Sequence, residues 1–235
     1  MLRIFGPPGT GKTTTLLNMV DDALASGVHP HRIAFLAFTK KAATEAKERA
    51  AQRFNLDPKK DLMFFRTLHS LALTMTDIRP EQVMQSENYK ELSKAIGINL
   101  NEAKVVNFEN DLTDMVTNSD PLLGLINLTR LKKSDLRKEY NNSNIEEDWN
   151  TVKYVDECLR EYKTKLGLYD FTDMLQEFVN QSAKYCPQFD ICFLDEAQDL
   201  SALQWDIAHI LDDNSDRMYA AGDDDQAIYR WAGAD

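Results

Sequence analysis

Gly6 to Thr13 reads GPPGTGKT, eight residues that fit the pattern G-x-x-x-x-G-K-[ST]. Glycines at this spacing let a backbone turn its N–H groups inward around an anion, and a helix that starts at the end of the loop adds positive potential. In such a loop Gly6, Pro7, Pro8, Gly9, Thr10, Gly11 and Thr14 would shape and line a phosphate cradle. Lys12 would reach the β- and γ-phosphates and the Thr13 hydroxyl would hold Mg²⁺. The chemistry these residue types suit is the binding and splitting of a nucleoside triphosphate.

A second group stands far along the chain at Phe193 to Leu200, FLDEAQDL. The apolar run ICFL carries Asp195 to the end of a strand, where ligands gather in open α/β sheets, and so offers a carboxylate to the metal. Glu196 beside it is suited to polarise an attacking water. Acidic residues after a strand can also merely cap the next helix, but a phosphate loop in the same chain favours the metal reading.

The elements that must position these residues are visible in the hydrophobic pattern. Leu2 to Phe5 is a short apolar run that enters the loop, and Leu16, Leu17, Val20 and Leu24 then recur at helical spacing until Gly27. That is strand, turn and helix. RIAFLAF, Arg32 to Phe38, is nearly all apolar and reads as a strand buried on both faces, followed by a charged, Ala-rich helix from Lys40 to about Arg53. A third apolar piece, Leu62 to Phe65, leads into Thr67 to Met75, and DICFLDEA and RMYAAG (Arg217 to Gly222) supply later strands. Strands alternating with helices predict an α/β fold with a mostly parallel sheet covered on both sides.

Between about Asp77 and Asn150 the texture changes to frequent Asn and short apolar runs, which predicts a helical insertion. Its helices are expected near Tyr89 to Ile96, near Val105 to Val116, and from SNIEEDW (Ser143 to Trp149) towards Leu166. The expected division is 1–76 with 160–235 as the nucleotide-binding domain and 77–159 as the insertion.

The chain has 235 residues, of which 43% are apolar, enough for a sizeable core. No window reaches the length of apolar residues that a membrane span needs, and MLRIFGPPGTGK lacks the layout of a signal peptide, so a cytoplasmic location is expected. Cys158, Cys186 and Cys192 show no CxxC spacing and the four histidines are scattered, which points to neither a disulfide framework nor a zinc site. The net charge of −11 disfavours a protein that simply coats nucleic acid. Its distribution says more: residues 32–66 hold nine basic and four acidic side chains, residues 130–138 five and one, and residues 190–225 one and eleven. Such separated fields suit one anion-binding surface and one acidic, metal-binding edge, although ordinary solvated faces would look the same.

With Gly6–Thr13 and Asp195–Asp199 together, the chain resembles the first RecA-like domain of the UvrD/Rep/PcrA group of superfamily 1 helicases. AFTKKAATEAKER (Ala37 to Arg49), RTLHSLA (Arg66 to Ala72) and YDFTDML (Tyr169 to Leu175) are similar to further motifs of that group, and GDDDQAIYRWAGA (Gly222 to Ala234) to its third motif. The resemblance implies a P-loop NTPase of RecA-like fold with a helical inserted subdomain, using ATP and Mg²⁺. It implies catalytic roles for Lys12, Glu196 and Gln226, with Gln226 sensing the γ-phosphate, and metal ligation by Thr13 and Asp195. Contacts to nucleic acid would come from Thr39, Lys40, His69 and Trp231, the last stacking on a base, an interaction that tolerates any sequence. The partners implied are single-stranded DNA, junctions of single and double strands, and a second RecA-like domain.

Three departures stand out. Leu68 occupies the place of a family Phe, Ala232 that of a common Arg with Arg230 two positions earlier, and only five residues precede Gly6 where the family carries an adenine-recognition motif. The expected activity is that of the N-terminal part of an ATP-dependent DNA helicase or translocase, moving 3′ to 5′ by resemblance. The chain is expected to be part of a longer protein, because an arginine from a second domain, worth about 10³ to 10⁵ in related phosphoryl transfers, is needed for fast turnover. A helicase joined to a nuclease, and an ATP-dependent single-strand clamp without unwinding, remain open alternatives. A small-molecule kinase shares the phosphate loop but gives no reason for DEAQD and GDDDQ together.

Overall fold

A computed structural model describes residues 1–7, 9–100 and 120–223 of the chain. Its sheet is built from β1 (Leu2–Phe5), β2 (Ile33–Ala37), β3 (Phe65–Thr67), β4 (Phe189–Asp195) and β5 (Ser215–Gly222), in the order β1-β5-β4-β2-β3. Every neighbouring pair is parallel. The expected α/β class with a parallel sheet is therefore what the chain adopts.

Helices cover both faces. On one side α1 (Lys12–Ala25) and α2 (Lys40–Phe54) pack Leu16, Val20, Ala43, Ala46 and Ala50 against Ile33, Phe35, Phe193 and Ala221. On the other, α3 (Leu68–Met75), α8 (Phe171–Asn180) and α10 (Ala202–Asp213) bring Leu71, Phe178 and Ile207 onto Leu36, Cys192 and Leu194. All five residues of β2 are buried, as its unbroken apolar run requires of a strand lying between two others. The two helices of the first side are also joined by charge: buried Asp21 of α1 accepts from Arg49 at 3.2 Å and from Arg53 of α2.

The third strand lies later than the expected apolar piece, at Phe65–Thr67 rather than Leu62–Phe65. Leu62 and Phe64 are buried before the strand forms, because they fill the cores on opposite sides of the sheet.

The remaining helices are α4 (Ser86–Ile96), α5 (Pro121–Leu131), α6 (Leu136–Asn141), α7 (Trp149–Leu166) and the short α9 (Ser182–Tyr185). Met84, Tyr89, Leu92, Leu123, Ile126, Val152 and Val155 from α4, α5, α7 and the approach to α4 make a third hydrophobic cluster. The expected division at 159/160 falls inside the continuous helix α7. Helix α5 was not expected from the sequence, and the expected helix at Val105 to Val116 lies outside the described residues.

The segments that flank α4 to α7 meet at one neck. Tyr169 N–H donates to Gln82 O at 2.7 Å and Met84 N–H to Tyr169 O at 2.9 Å. Beside it Arg130 of α5 donates to Asp170 at 2.6 Å and to Asp173, and Lys163 of α7 donates to Asp173 at 2.6 Å and to Asp170. Asp170 and Asp173 also form the capping box of α8, each carboxylate accepting the other's backbone N–H at 2.8 Å. Lys133 adds a 2.6 Å bond to Asp206 on α10.

Burial alone would raise the Asp170 carboxyl, but the charges of Arg130 and Lys163 and their hydrogen bonds outweigh it and hold the group below the usual carboxylate range. A carboxyl depressed in the fold contributes stability above its unfolded pKa, and that contribution is lost as pH falls through the folded value. Asp170→Asn is expected to lower unfolding stability at neutral pH by roughly 3 kcal/mol, and acidification below the ordinary carboxylate range to remove the difference between the two proteins. Urea midpoints that coincide at pH 7 would show that the network contributes nothing.

Candidate functional site

The sheet register sets the site. Phe5 of β1 lies level with Gly222 of β5, and Ala37 of β2 lies level with both Asp195 of β4 and Thr67 of β3. The carboxyl ends of the strands thus form one edge, and the loops that bear the candidate residues all leave from it.

After β1 the loop turns through Gly9 (φ 76°) and Gly11 (φ 82°), left-handed values that a residue with a Cβ adopts only at a cost. Gly11 is also the N-cap of α1, and no side chain caps that helix, so the donors of its first turn are presented to the loop. Thr10 Oγ1 donates to Pro7 O at 2.7 Å, and Lys12 Nζ donates to Gly6 O and, at 3.2 Å, to Pro7 O. The ammonium therefore sits over the mouth of the loop. Thr14 lies exposed on the first turn of α1, and Pro8 lies outside the described residues.

Thr13 and Asp195 meet across the sheet edge, the Thr13 hydroxyl donating to Asp195 Oδ2 at 2.7 Å although 182 positions separate them. Asp195 is only 1% exposed. Burial, with the Glu196 charge alongside, raises its carboxyl from the ordinary value in spite of the bond from Thr13 and the nearby charge of Lys12. A hydroxyl and a carboxylate side by side are hard oxygen donors of the kind Mg²⁺ takes when phosphate and water complete its octahedron. Glu196 follows in a left-handed conformation, φ 55° and ψ 44°, which turns it out of the strand line.

Two more strand-to-helix turns meet this edge. Thr39 caps α2 by accepting from Ala42 N–H at 3.3 Å, and Thr67 caps α3 by accepting from Ser70 N–H at 3.3 Å. Lys40 and Lys41 are exposed at the start of α2. Further along α2, burial lowers the Lys47 ammonium, and the neighbouring Arg66 guanidinium adds to the effect. His69 is 8% exposed, with its ring 6.3 Å from that of Phe171. Burial lowers its imidazole to about 4, so at neutral pH it offers a hydrogen bond and no charge. Gln226 and Trp231 lie outside the described residues.

The edge therefore brings together Lys12, Thr13, Asp195 and Glu196, and sets Thr39, Lys40 and His69 on its β2–β3 side. Gln198 was missed: its amide donates to Glu196 Oε2 at 2.6 Å, a contact that only the tight turn after β4 creates. An open cleft of about 730 Å³ near Arg130, Lys163 and Asp173 lies at the neck, where charged groups already pair with one another. Among the described residues no cluster of three or more His, Cys, Asp or Glu has the geometry of a metal cage, and no helix is long and apolar enough to cross a membrane.

The family model for the UvrD/REP helicase N-terminal domain matches residues 1–235. The chain belongs to that family. Curated relatives include an ATP-dependent DNA helicase PcrA of Leuconostoc citreum, 28% identical over 246 residues, an alignment that covers 99% of this chain and 32% of the relative. The ATP-dependent DNA helicase Rep of Buchnera aphidicola subsp. Acyrthosiphon pisum is 28% identical over 253 residues, covering 98% and 36%. DNA helicase II of Escherichia coli K12 is 26% identical over 257 residues, covering 99% and 33%. The chain thus spans about a third of the length of these UvrD/REP-type relatives.

The His69 shift has a consequence for stability. A histidine held neutral in the fold lets the unfolded chain take up the proton first, so stability should fall as pH drops from 6.5 towards about 4 and then level off. The loss attributable to His69 between pH 7 and pH 5 is expected to be roughly 2 kcal/mol, and His69→Gln should remove it. Equal pH dependence of the urea midpoint in the two proteins would refute the assignment.

Proposed function

We propose that this chain is the nucleotide-binding part of an ATP-dependent DNA helicase, in which ATP hydrolysis at the carboxyl edge of the sheet is coupled to movement along single-stranded DNA. The observation that carries the reading is the meeting of Thr13 and Asp195 at 2.7 Å beside an uncapped helix start. Membership of the UvrD/REP family supports ATP and DNA as the ligands, and the names of the relatives support the activity.

In this reading the backbone from Gly6 to Thr14 cradles the phosphates and Lys12 exchanges its bonds to Gly6 O and Pro7 O for phosphate oxygens. Thr13 Oγ1 and Asp195 Oδ2 would hold Mg²⁺, which when bound would supply positive charge beside the phosphates. Glu196 orients the attacking water and accepts its proton. Thr39, Lys40 and His69, on the same edge, contact the nucleic-acid backbone, and Gln226 and Trp231 act on the γ-phosphate and a base. We propose a sheet domain made of the residues before about Asp77 and those after α7, and read the residues between them as a helical lobe that meets junctions of single and double strands. A second RecA-like domain would close the nucleotide cleft and supply arginine.

In the full-length protein, single-stranded DNA is expected to stimulate ATP hydrolysis. Lys12→Ala should abolish nucleotide binding, whereas Glu196→Gln should keep it and lower kcat by about 10² or more. Hydrolysis indifferent to DNA would sink the helicase reading, and retained turnover in Glu196→Gln would remove that residue from the chemistry.

A further inference from the structure

The turn after β4 holds a contact that the roles above do not use. Gln198 Nε2 donates to Glu196 Oε2 at 2.6 Å and to Asp199 Oδ2 at 3.2 Å, while its Oε1 accepts the backbone N–H of Asp223 at 3.1 Å. The orientation of this amide follows from its neighbours. Reversed, its oxygen would face two carboxylates and its NH₂ group a backbone donor, so only the observed orientation satisfies every partner. One side chain therefore joins Glu196 to the backbone where β5 ends.

The surroundings are shaped for that reach. A Cβ on Gly222, the last residue of β5, would come within 3.2 Å of Gln198 Oε1 and 3.3 Å of Gln198 N, so glycine at this position leaves room for the approach. Glu196 stands in a left-handed conformation that a residue with a Cβ adopts only at a cost, and the bonds at Gln198 fix where that turn directs its carboxylate. The N–H of Asp199 donates back to Glu196 O at 3.1 Å and closes the turn.

Building on the proposed role of Glu196 at the phosphates, we infer that Gln198 is a positioning residue that ties the Glu196 carboxylate to the chain leaving β5, so that a shift at either is felt at the other. Asp223 stands three residues before Gln226 and eight before Trp231 in the sequence. The link thus runs from the carboxylate that orients water to the root of the segment read as the DNA-responsive one. A shift of the backbone at Asp223 would re-aim Glu196 through one amide.

Two measurements test this with Gln198→Met, which keeps the shape and removes every hydrogen bond. In the 235-residue chain, amide exchange at Asp223 is measured with and without Mg²⁺ and a non-hydrolysable ATP analogue. Exchange should be slow in the wild type and slower with the analogue. In Gln198→Met it should be roughly tenfold faster and indifferent to the analogue. In the full-length protein, the variant should lower DNA-stimulated kcat by about tenfold or more while leaving the KM for ATP within about twofold. Gln198→Glu, which removes the donor and sets another carboxylate beside Glu196 and Asp199, should lower kcat at least as far.

A merely structural glutamine would change stability and leave the ratio of stimulated to basal turnover intact, and that outcome overturns the inference. So does unchanged exchange at Asp223 in Gln198→Met. Wild-type protein that hydrolyses ATP without any response to DNA refutes the helicase reading instead, and the exchange response to the analogue then still decides whether Gln198 carries the link.

Discussion

The hydrogen bond from Thr13 to Asp195 is the constraint on which the site depends. Its partners follow β1 and end β4, and β5 runs between those two strands. Strands in a sheet lie roughly 5 Å apart, so β1 and β4 are separated by about 10 Å, and α1, which packs against both β5 and β4, carries Thr13 to Asp195. That geometry asks for a loop that turns tightly after β1 and for three strands that stop within a residue of one another. Gly9 and Gly11, and the register Phe5–Gly222 and Leu194–Ala220, meet these demands in turn.

The same packing explains why the site can be electrostatically demanding and still form. Asp195 is buried and its carboxyl is raised, so the ionised form is held at some cost that a metal ion would relieve. The rigid cores on both faces, with Phe35, Phe193 and Tyr219 neighbouring one another across β2, β4 and β5, keep the strand ends from relaxing away from that strain. Stability is supplied at a distance from the chemistry, by apolar side chains and by the Asp21 and Asp170 networks, which leaves the carboxyl edge free to hold charged groups close together.

How much of this was legible in the sequence depends on whether a feature is local. The glycine-bearing loop after β1, the strand before it and the helix after it are contiguous, so residue types alone told of strand, turn and helix, and the unbroken apolar run of β2 told of burial on both faces. Helix α5 was less open to reading because Pro121 and Gly124 look like breakers, yet Asp120 caps it and Pro121 sits in its first turn, where a missing N–H costs nothing. The basic stretch from Arg130 to Lys138 reads equally as an anion-binding surface or as a solvated face. In the structure Arg130, Lys132 and Lys133 pair with Asp170 and Asp173, Glu139 and Asp206, and Arg137 stacks 4.7 Å over Trp149. Partners 40 positions or more away in the chain are invisible to a reading of neighbours.

Gln198 is the sharpest instance of that limit. Within FLDEAQDL it is one polar residue among three carboxylates, and nothing in that string separates a solvated side chain from a structural one. Its meaning appears only when the register of β4 against β5 sets the turn after Asp195 beside the end of the neighbouring strand. Two strands that pair in parallel must send their following loops to the same edge, so any residue in one loop that is long enough to span the gap can join the two. Glutamine suits the place better than glutamate or lysine because it offers a donor to a carboxylate and an acceptor to a backbone N–H on one rigid amide. In the proposed role, a link between the Glu196 carboxylate and the backbone at Asp223 would need no moving helix or hinge, only an amide that satisfies both ends.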